Sequence, residues 1–247
     1  MPETPPPNPA HEPAPDVGVI LCGAGESTRF GTEVPKPFVP LAGEPVFLYS
    51  LMRFAALPIV RRIVFAVPSE WVERIENEYR FVVADLKTTI IIAGGETRCE
   101  TVALALDRLE AGSEWIAIHD AARPLVSEHL ILEVIAQARH VGAAIPALPV
   151  ADTVKQADAA GRVAATLDRG GLFLAQTPQV FRRTLLRRAF DTLDLAAEPV
   201  TDDAQLIERL GEPVAIVPGE PSNMKITRMA DLALAEAHLA AYPRNDE

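Results

Sequence analysis

Blocks of consecutive apolar residues recur along the chain, separated by longer stretches that mix apolar and polar positions. Apolar, β-branched runs without polar alternation are typical of strands buried on both faces, as in a parallel sheet. Such runs predict strands that begin at Val17 and that span residues 62–67, 88–93, 115–119 and 143–148. The mixed stretches predict helices at residues 45–57, 100–109 and 127–140, and another that Ser69 caps. Strands that alternate with helices favour a doubly wound, mostly parallel α/β sheet.

Residues 149–169 interrupt this alternation. Two short strand-like pieces, residues 153–155 and 163–167, lie on either side of residues 158–161, which have the composition of a turn. A hairpin with so little apolar surface is marginal alone, so we expect a β-arm that protrudes from the domain and packs against something else. Exchange of arms between two subunits would bury them and form a homodimer in which each arm completes the partner's site.

The other residues between 16 and 243 are predicted to form a single domain, of which the arm is a subregion. Its second half is expected to contain a helix near residues 182–193, a helix opened by Thr201-Asp202-Asp203, a strand at 214–217 and a last helix at 229–239. Residues 1–15 are rich in proline and contain no Lys or Arg, which predicts a disordered tail rather than a signal peptide.

The composition argues against several classes of protein. The chain has 247 residues, of which 49% are hydrophobic, so it can bury a substantial core. No apolar run approaches the ~20 residues that span a bilayer, and the net charge of −11 argues against general binding to nucleic acids or anionic membranes. Cys22 and Cys99 are the only cysteines, which fits a cytoplasmic location and a packing role for both.

The loop after the first strand carries the candidate chemistry. Gly23 and Gly25 lack a Cβ, so a ligand can lie directly against the main chain there. Two cations follow, Arg29 and Lys36, and the prolines on either side of Lys36 stiffen its backbone. A buried strand, a close-approach loop and two held cations indicate a site for a polyanion such as a nucleoside triphosphate.

Three kinds of nucleotide-binding loop compete for this stretch, beside a plain glycine-rich connection with two solvated cations. A dinucleotide-binding turn would need a third glycine where Thr28 stands, and a Walker A loop would need a Gly-Lys-Ser/Thr sequence. The spacing of a nucleotidyltransferase loop fits without a gap. Because residues 94–101 and 119–124 also follow predicted strands, all three loops can converge on one crevice at the carboxyl edge of the sheet.

Eight short motifs occur in order between Val17 and Leu239. They are Gly23-Ala24-Gly25…Arg29…Pro35-Lys36, Gly94-Gly95-Glu96…Arg98, His119-Asp120-Ala121-Ala122-Arg123-Pro124, Asp152-Thr153-Val154-Lys155, Asp168-Arg169, Gln176-Thr177-Pro178-Gln179, Thr201-Asp202-Asp203-Ala204 and Asn223-Met224-Lys225-Ile226-Thr227. With these motifs the chain resembles the 2-C-methyl-D-erythritol 4-phosphate cytidylyltransferase family of the non-mevalonate pathway of isoprenoid biosynthesis. Glu96 and Thr101 stand where that family commonly has Asp and Ser.

The resemblance implies a Rossmann-like nucleotidyltransferase that depends on Mg²⁺ or another divalent cation. It would transfer a cytidylyl group from CTP to 2-C-methyl-D-erythritol 4-phosphate and release pyrophosphate. The resemblance assigns catalysis to Arg29, Lys36 and Lys225. It assigns nucleotide binding to Gly23, Ala24, Gly25, Gly94, Glu96, Thr101 and Asp120, with Asp120 also holding the metal. It assigns the acceptor site to Ala121, Arg123, Thr153, Arg169 and Thr201.

Other interpretations stay open at this point. Asp120 and Thr201 could only cap local segments, and Arg123 could form a structural ion pair. Glu96 and Lys225 could be solvated side chains. A related transferase could use another acceptor, such as ribitol 5-phosphate, or another base. A nucleotide-binding regulatory protein without catalysis is the alternative from a different class.

Overall fold

A computed structural model of the protein describes residues 16–24, 34–79, 86, 89–109, 112–194 and 199–242, so the predicted tail at residues 1–15 lies outside it. The strands are β1 (Val17–Cys22), β2 (Pro40–Leu41), β3 (Glu44–Pro45), β4 (Val60–Val67), β5 (Thr89–Ala93), β6 (Trp115–Asp120), β7 (Ala143–Pro149), β8 (Lys155–Ala157), β9 (Val163–Thr166), β10 (Phe173–Ala175), β11 (Gln179–Arg182) and β12 (Ala215–Pro218). The α-helices are α1 (Val46–Ala56), α2 (Val72–Glu78), α3 (Arg98–Arg108), α4 (Glu128–Val141), α5 (Arg183–Thr192), α6 (Ala204–Arg209) and α7 (Met229–Ala241). Among these described helices, none combines the length and hydrophobicity that crossing a membrane requires.

Eight of the described strands form one central sheet in the order β10-β7-β11-β6-β1-β4-β5, with β12 paired to β7. Strand β1 lies between β4 and β6 and is parallel to both, and β5 is parallel to β4. Strands β10 and β11 are antiparallel to β7, and β11 is also antiparallel to β6. The mostly parallel sheet confirms the predicted fold class.

Alternate residues of β1 point into two separate cores, as a doubly wound sheet requires. Val19 and Leu21 pack in a cluster with buried residues of α1, α2 and α4. Ile20 packs on the other face with buried residues of α3, α5 and α6. A third, smaller cluster joins Ile226 to α7 and β2, so the segment before the last helix is fixed to the body.

The predicted boundaries of most elements differ from the observed ones by about two residues or fewer. The antiparallel strands β10 and β11 were not predicted, because they are short and because pairing with β6 and β7 decides their conformation. The two-residue strands β2 and β3 were not predicted either. The predicted helix cap at Ser69 is wrong. This residue begins a 3₁₀ turn, its hydroxyl donates to Glu70 Oε2 at 3.3 Å, and α2 begins only at Val72.

The predicted arm is present as a hairpin. Strands β8 and β9 pair antiparallel in a two-stranded sheet that is separate from the central one. Apolar side chains on the arm and on the adjoining β10 are exposed, with exposed fractions of 66% for Val163 and 60% for Leu174. The arm therefore presents apolar surface that its own subunit leaves uncovered.

Candidate active site

The carboxyl ends of three neighbouring strands lie side by side at one edge of the sheet. Cys22 at the end of β1 lies opposite Ala66 of β4 and Asp120 of β6. The amides of Gly23 and Ala24 both donate to the carbonyl of Ala66, at 2.7 and 2.9 Å. The loop after β1 is thus tied to the neighbouring strand before it leaves the sheet.

The loop after β5 touches the loop after β1. The amide of Gly94 donates to the carbonyl of Val67 at 2.8 Å. A Cβ added to Gly94 would lie 2.3 Å from the Cβ of Ala24, so only glycine permits this approach. The structure therefore brings together Gly23, Ala24 and Gly94, as predicted, whereas Gly25 and Arg29 lie outside the described residues.

A capping box at Thr97 joins the Gly94–Gly95 segment to the start of α3. The Thr97 side chain accepts from the amide of Glu100, and Glu100 in turn accepts from the amides of Thr97 and Glu96. Thr101 is buried, donates its hydroxyl to the Thr97 carbonyl at 2.9 Å and accepts from the Gly95 amide at 3.0 Å. Thr101 therefore stabilises this loop from its buried side, while Glu96 is exposed at the tip of the loop.

Asp120 ends β6 and is surrounded by three cations. Its Oδ1 lies 2.7 Å from Arg98 Nη1, and its Oδ2 lies 3.0 Å from Lys225 Nζ and 3.4 Å from Arg123 Nε. Burial raises the pKa of the Asp120 carboxyl, but Arg98, Lys225 and Arg123 outweigh burial and hold that pKa well below its usual range. The carboxylate is therefore charged at every pH at which the protein would work.

A second carboxylate holds the far side of Arg98. Asp203 Oδ2 accepts from Arg98 Nε at 3.0 Å and from Nη2 at 2.8 Å, and the Asp203 side chain is fully buried. Burial would lower the pKa of Arg98, but the charges of Asp203 and Asp120 raise it well above its usual value. Arg98 and Asp203 each lie within one of the eight motifs, but the sequence did not indicate that their side chains belong to the site.

The segment that carries Lys225 is fastened to the turn after β6. The amide of Ile226 donates to the Ala122 carbonyl at 2.8 Å, and Arg123 Nη1 donates to the Asn223 carbonyl at 2.7 Å. Lys225 itself is half-exposed. Arg123 and Lys225 thus reach Asp120 Oδ2 from two segments that are about 100 residues apart.

His119 holds the turn that follows β6 through hydrogen bonds, and its ring is uncharged. Its Nε2 hydrogen donates to the Arg123 carbonyl at 3.3 Å, so Nδ1 accepts from the Thr177 hydroxyl at 3.1 Å. The same hydroxyl oxygen accepts from the Asp120 amide at 3.1 Å. Burial lowers the pKa of His119 to about 3, which keeps the ring neutral.

Cys22, which is partly buried, packs against the core beside this region. Burial raises the pKa of its thiol to about 12, so the group stays protonated and supports the packing role expected from the sequence. The amide of Ala121 donates to the Cys22 carbonyl at 2.9 Å, which places Ala121 directly beside the end of β1.

Four predicted site residues remain, namely Lys36, Thr201, Thr153 and Arg169. Lys36 opens a 3₁₀ turn whose Phe38 stacks on Trp71 with a ring-centroid distance of 4.1 Å, so its backbone has a fixed base. Thr201 is exposed and its amide donates to Gln205 Oε1 at 2.9 Å. Thr153 and Arg169 are exposed on the arm, and within the described residues no hydrogen bond joins either side chain to Asp120.

A carboxylate oxygen at the carboxyl edge of the sheet suits a hard divalent cation. No group of three acidic, histidine or cysteine side chains that could hold a metal occurs among the described residues. The Asp120 carboxylate is nevertheless a suitable ligand for Mg²⁺, because this ion is commonly held by one or two carboxylates together with phosphate oxygens of the substrate.

A doubly wound sheet, small-residue loops at its carboxyl edge and a cationic cluster around one carboxylate define a nucleotide-binding α/β protein of the nucleotidyltransferase type. The chain matches the model of the 2-C-methyl-D-erythritol 4-phosphate cytidylyltransferase family over residues 17–241. It therefore belongs to this family, which confirms the prediction from the eight motifs and makes the chain a cytidylyltransferase by class.

Individual relatives support the same assignment. The 2-C-methyl-D-erythritol 4-phosphate cytidylyltransferase of Acidobacterium capsulatum is 42% identical over 235 residues, which cover 90% of this chain and 97% of that protein. The enzyme of the same name from Syntrophus aciditrophicus is 39% identical and covers 91% and 96%. The crystal structure of the Thermus thermophilus enzyme has a TM-score of 0.75 at 32% identity and covers 91% of this chain and 99% of that one.

Proposed function

We propose that the protein transfers the cytidylyl group of CTP to 2-C-methyl-D-erythritol 4-phosphate. The products are 4-diphosphocytidyl-2-C-methyl-D-erythritol and pyrophosphate, in non-mevalonate isoprenoid biosynthesis. Family membership and the names of the relatives support this proposal. The observation that carries it is the convergence of Arg98, Arg123 and Lys225 on Asp120, beside the contact between Ala24 and Gly94.

The nucleotide would lie over the two touching loops. Gly23, Ala24 and Gly94 carry little or no side chain, and glycine at 23 and 94 also lets these loops pack against Phe65 and Ala24. Small residues of this kind allow close approach of a flat base and a polyphosphate. Gly25 joins this group on the grounds of the sequence pattern. Glu96 and Thr101 complete the base pocket in the proposal, Glu96 from the exposed tip and Thr101 by fixing the loop.

The reaction requires charge neutralisation and alignment more than proton transfer. A phosphate oxygen of the acceptor attacks the α-phosphorus, and the bond from that phosphorus to the pyrophosphate oxygen breaks. Two unit charges of the same sign at 4 Å repel by ~4 kcal/mol at an effective dielectric constant of 20. Lys225 and Arg123 supply positive charge at the Asp120 cluster, and the sequence pattern adds Arg29 and Lys36 on the triphosphate side.

Asp120 would hold the divalent cation through Oδ2. That oxygen contacts Lys225 and, at the longer distance, Arg123, whereas Oδ1 is taken by the short contact with Arg98. Mg²⁺, when bound, neutralises phosphate oxygens and helps to align them. The chain's own part is to keep the carboxylate charged and oriented, which the three cations around it favour.

The acceptor would be enclosed by two subunits. Ala121, Arg123 and Thr201 belong to the body, whereas Thr153 and Arg169 are exposed on the arm. The arm also exposes apolar residues such as Val163 and Leu167, which contact with a second copy would cover. We therefore include in the proposal a homodimer with exchanged arms. A cytoplasmic location fits the two free cysteines.

Release of pyrophosphate, measured for a panel of acceptors with each of the four nucleoside triphosphates, tests the proposal. We expect methylerythritol phosphate with CTP to give the highest kcat/KM. A faster reaction with ribitol 5-phosphate or with another nucleotide would contradict the proposed substrates. Binding of CTP without turnover of any acceptor would support a regulatory protein instead.

A further inference from the structure

Asp203, one of the two carboxylates that pair with Arg98, has no role in the proposed reaction. Arg98 bridges two carboxylates, with Nη1 on Asp120 Oδ1 and with Nε and Nη2 on Asp203 Oδ2. Asp203 opens α6 and is fully buried, as is its neighbour Ala204. A charge buried so completely needs a persistent partner, and Arg98 supplies it.

Asp203 has no other charge partner in the described part of the chain. Its second oxygen, Oδ1, is buried and accepts no hydrogen bond from any described residue. If Arg98 left Asp203, a buried carboxylate would remain uncompensated, which is strongly unfavourable. Asp203 therefore holds the Arg98 guanidinium through Nε and Nη2, and this keeps Nη1 in position beside Asp120.

The other cations on Asp120 are held differently. Arg123 lies 3.4 Å from Asp120 Oδ2 and makes its shorter bond, 2.7 Å, to the Asn223 carbonyl. Lys225 reaches the same oxygen at 3.0 Å with a flexible side chain that is 43% exposed. Of the two close contacts on Asp120, Lys225 can leave at low cost and Arg98 cannot.

We propose that Asp203 and Arg98 are positioning residues that keep Asp120 oriented for the divalent cation. Arg98 stays on Oδ1 when the cation arrives, and Lys225 gives up Oδ2 and turns to the phosphates. The charge of Asp203 offsets that of Arg98, so Arg98 orients the carboxylate without repelling the cation strongly. This inference rests on the proposed function, because it assumes that Asp120 holds the metal there.

The Asp203→Asn variant tests the inference, because it keeps the shape of the side chain and removes its charge. Arg98 then keeps Asp120 as a partner but loses its second carboxylate, so the net charge beside the metal site becomes more positive. We expect Mn²⁺ binding to the protein saturated with CTP, followed by electron paramagnetic resonance, to weaken by about tenfold or more. CTP binding in the presence of a chelator should be unchanged or tighter, because the site has become more positive.

Asp202→Asn is the matched control. Asp202 precedes Asp203 in the chain, and its oxygens accept from Gln179 Nε2 and the Gln205 amide rather than from Arg98. We expect this variant to change Mn²⁺ binding by less than about threefold, since the Asp202 oxygens bond to Gln179 and Gln205 and do not orient Arg98. If Asp203→Asn leaves Mn²⁺ binding unchanged, or weakens CTP binding without metal by the same factor, Asp203 is only structural and the inference is wrong.

A measurement on the unaltered protein decides the matter should Asp203→Asn fail to fold. Nitrogen-15 NMR of the arginine and lysine side chains, with Mg²⁺ and CTP added, should leave the Arg98 signals in place and shift those of Lys225. Displacement of Arg98 instead would overturn the inference. Mn²⁺ binding is observed without an acceptor, so loss of the proposed acceptor specificity would leave this test intact.

Discussion

The ammonium group of Lys225 rests 3.0 Å from Oδ2 of Asp120, so a residue expected at the phosphates lies on the carboxylate expected to hold the metal. In the proposed reaction, this pairing holds a cation beside Asp120 before the substrates bind. It also explains why a half-exposed lysine has a defined position, since the Asp120 carboxylate is anchored from its other side by Arg98.

Replacement of Lys225 by Ala should lower kcat much more than it weakens CTP binding, because its charge acts chiefly on the transition state. Loss of one preorganised electrostatic donor typically costs ~10²–10³ in rate. Steady-state kinetics and equilibrium binding of CTP measure the two effects separately. Arg187→Ala, which removes an exposed cation paired with Asp107, is the control and should change neither. A raised KM for CTP at unchanged kcat would show that Lys225 is only a ground-state ligand.

Replacement of Gly94 by Ala should destabilise the protein and weaken CTP binding, because the new Cβ would lie 2.3 Å from that of Ala24. Overpacking of this kind costs about 1–3 kcal/mol in the free energy of unfolding. The matched test is the double variant Gly94→Ala with Ala24→Gly, which removes the opposing Cβ and should recover most of the loss. Recovery is expected to be incomplete, because Thr101 Oγ1 lies 3.1 Å from the added atom. Equal loss in the single and double variants would mean that the two loops do not touch.

The buried imidazole of His119 makes the stability of the protein depend on pH. Burial lowers the folded-state pKa of His119 to about 3, below its unfolded value of about 6.5. The unfolded chain therefore binds a proton first as the pH falls, and the free energy of unfolding decreases below pH ~6.5. Between pH ~6.5 and ~4 this single group contributes a loss of about 3 kcal/mol.

Urea denaturation across this pH range checks the prediction for His119. The His119→Gln variant lacks the titrating ring and should show a shallower dependence on pH, although it is less stable at neutral pH. His129→Gln is the control, because the His129 side chain is 78% exposed and should leave the profile unchanged. Parallel profiles for the wild type and His119→Gln would contradict the assignment.

Arms that act across a dimer interface can be detected by mixing two variants of greatly reduced activity, Lys225→Ala and Arg169→Ala. A mixed dimer with exchanged arms contains one site that lacks both side chains and one intact site. Half of the dimers are mixed after random exchange in equal amounts, so about a quarter of all sites should recover activity. If each arm serves its own subunit, every site keeps one mutation, and mixed dimers confirmed by mass spectrometry would show no recovery.

The periodicity of the sequence was sufficient to predict the parallel core of the fold. Strands such as β4 and β6 contain continuous apolar runs, at residues 63–67 and 115–118. Helices such as α4 have clear caps, with Ser127 accepting from the Leu130 amide. Strand β11 escaped prediction because its conformation depends on the strands on either side of it, β6 and β7, rather than on local pattern.

The sequence predicted the site residues that belong to recognisable motifs, but not how distant charges pair in the folded chain. Arg98 and Asp203 are 105 residues apart, and each has the appearance of a solvated charge in the sequence. Only the folded chain shows that they form one unit with Asp120. In the proposed dimer, the partner subunit decides where Thr153 and Arg169 lie relative to the acceptor, so no local motif determines their positions.

Phosphorus-31 NMR of the protein with CTP, methylerythritol phosphate and Mg²⁺ tests the central claim most directly. The account predicts that the monoester and triphosphate signals disappear together, while free pyrophosphate and the two coupled signals of a diphosphate diester appear in equal amounts. Lys225→Ala should slow this conversion without altering the products. A monoester signal that persists while CTP is hydrolysed, or that persists with CTP intact, would contradict the account.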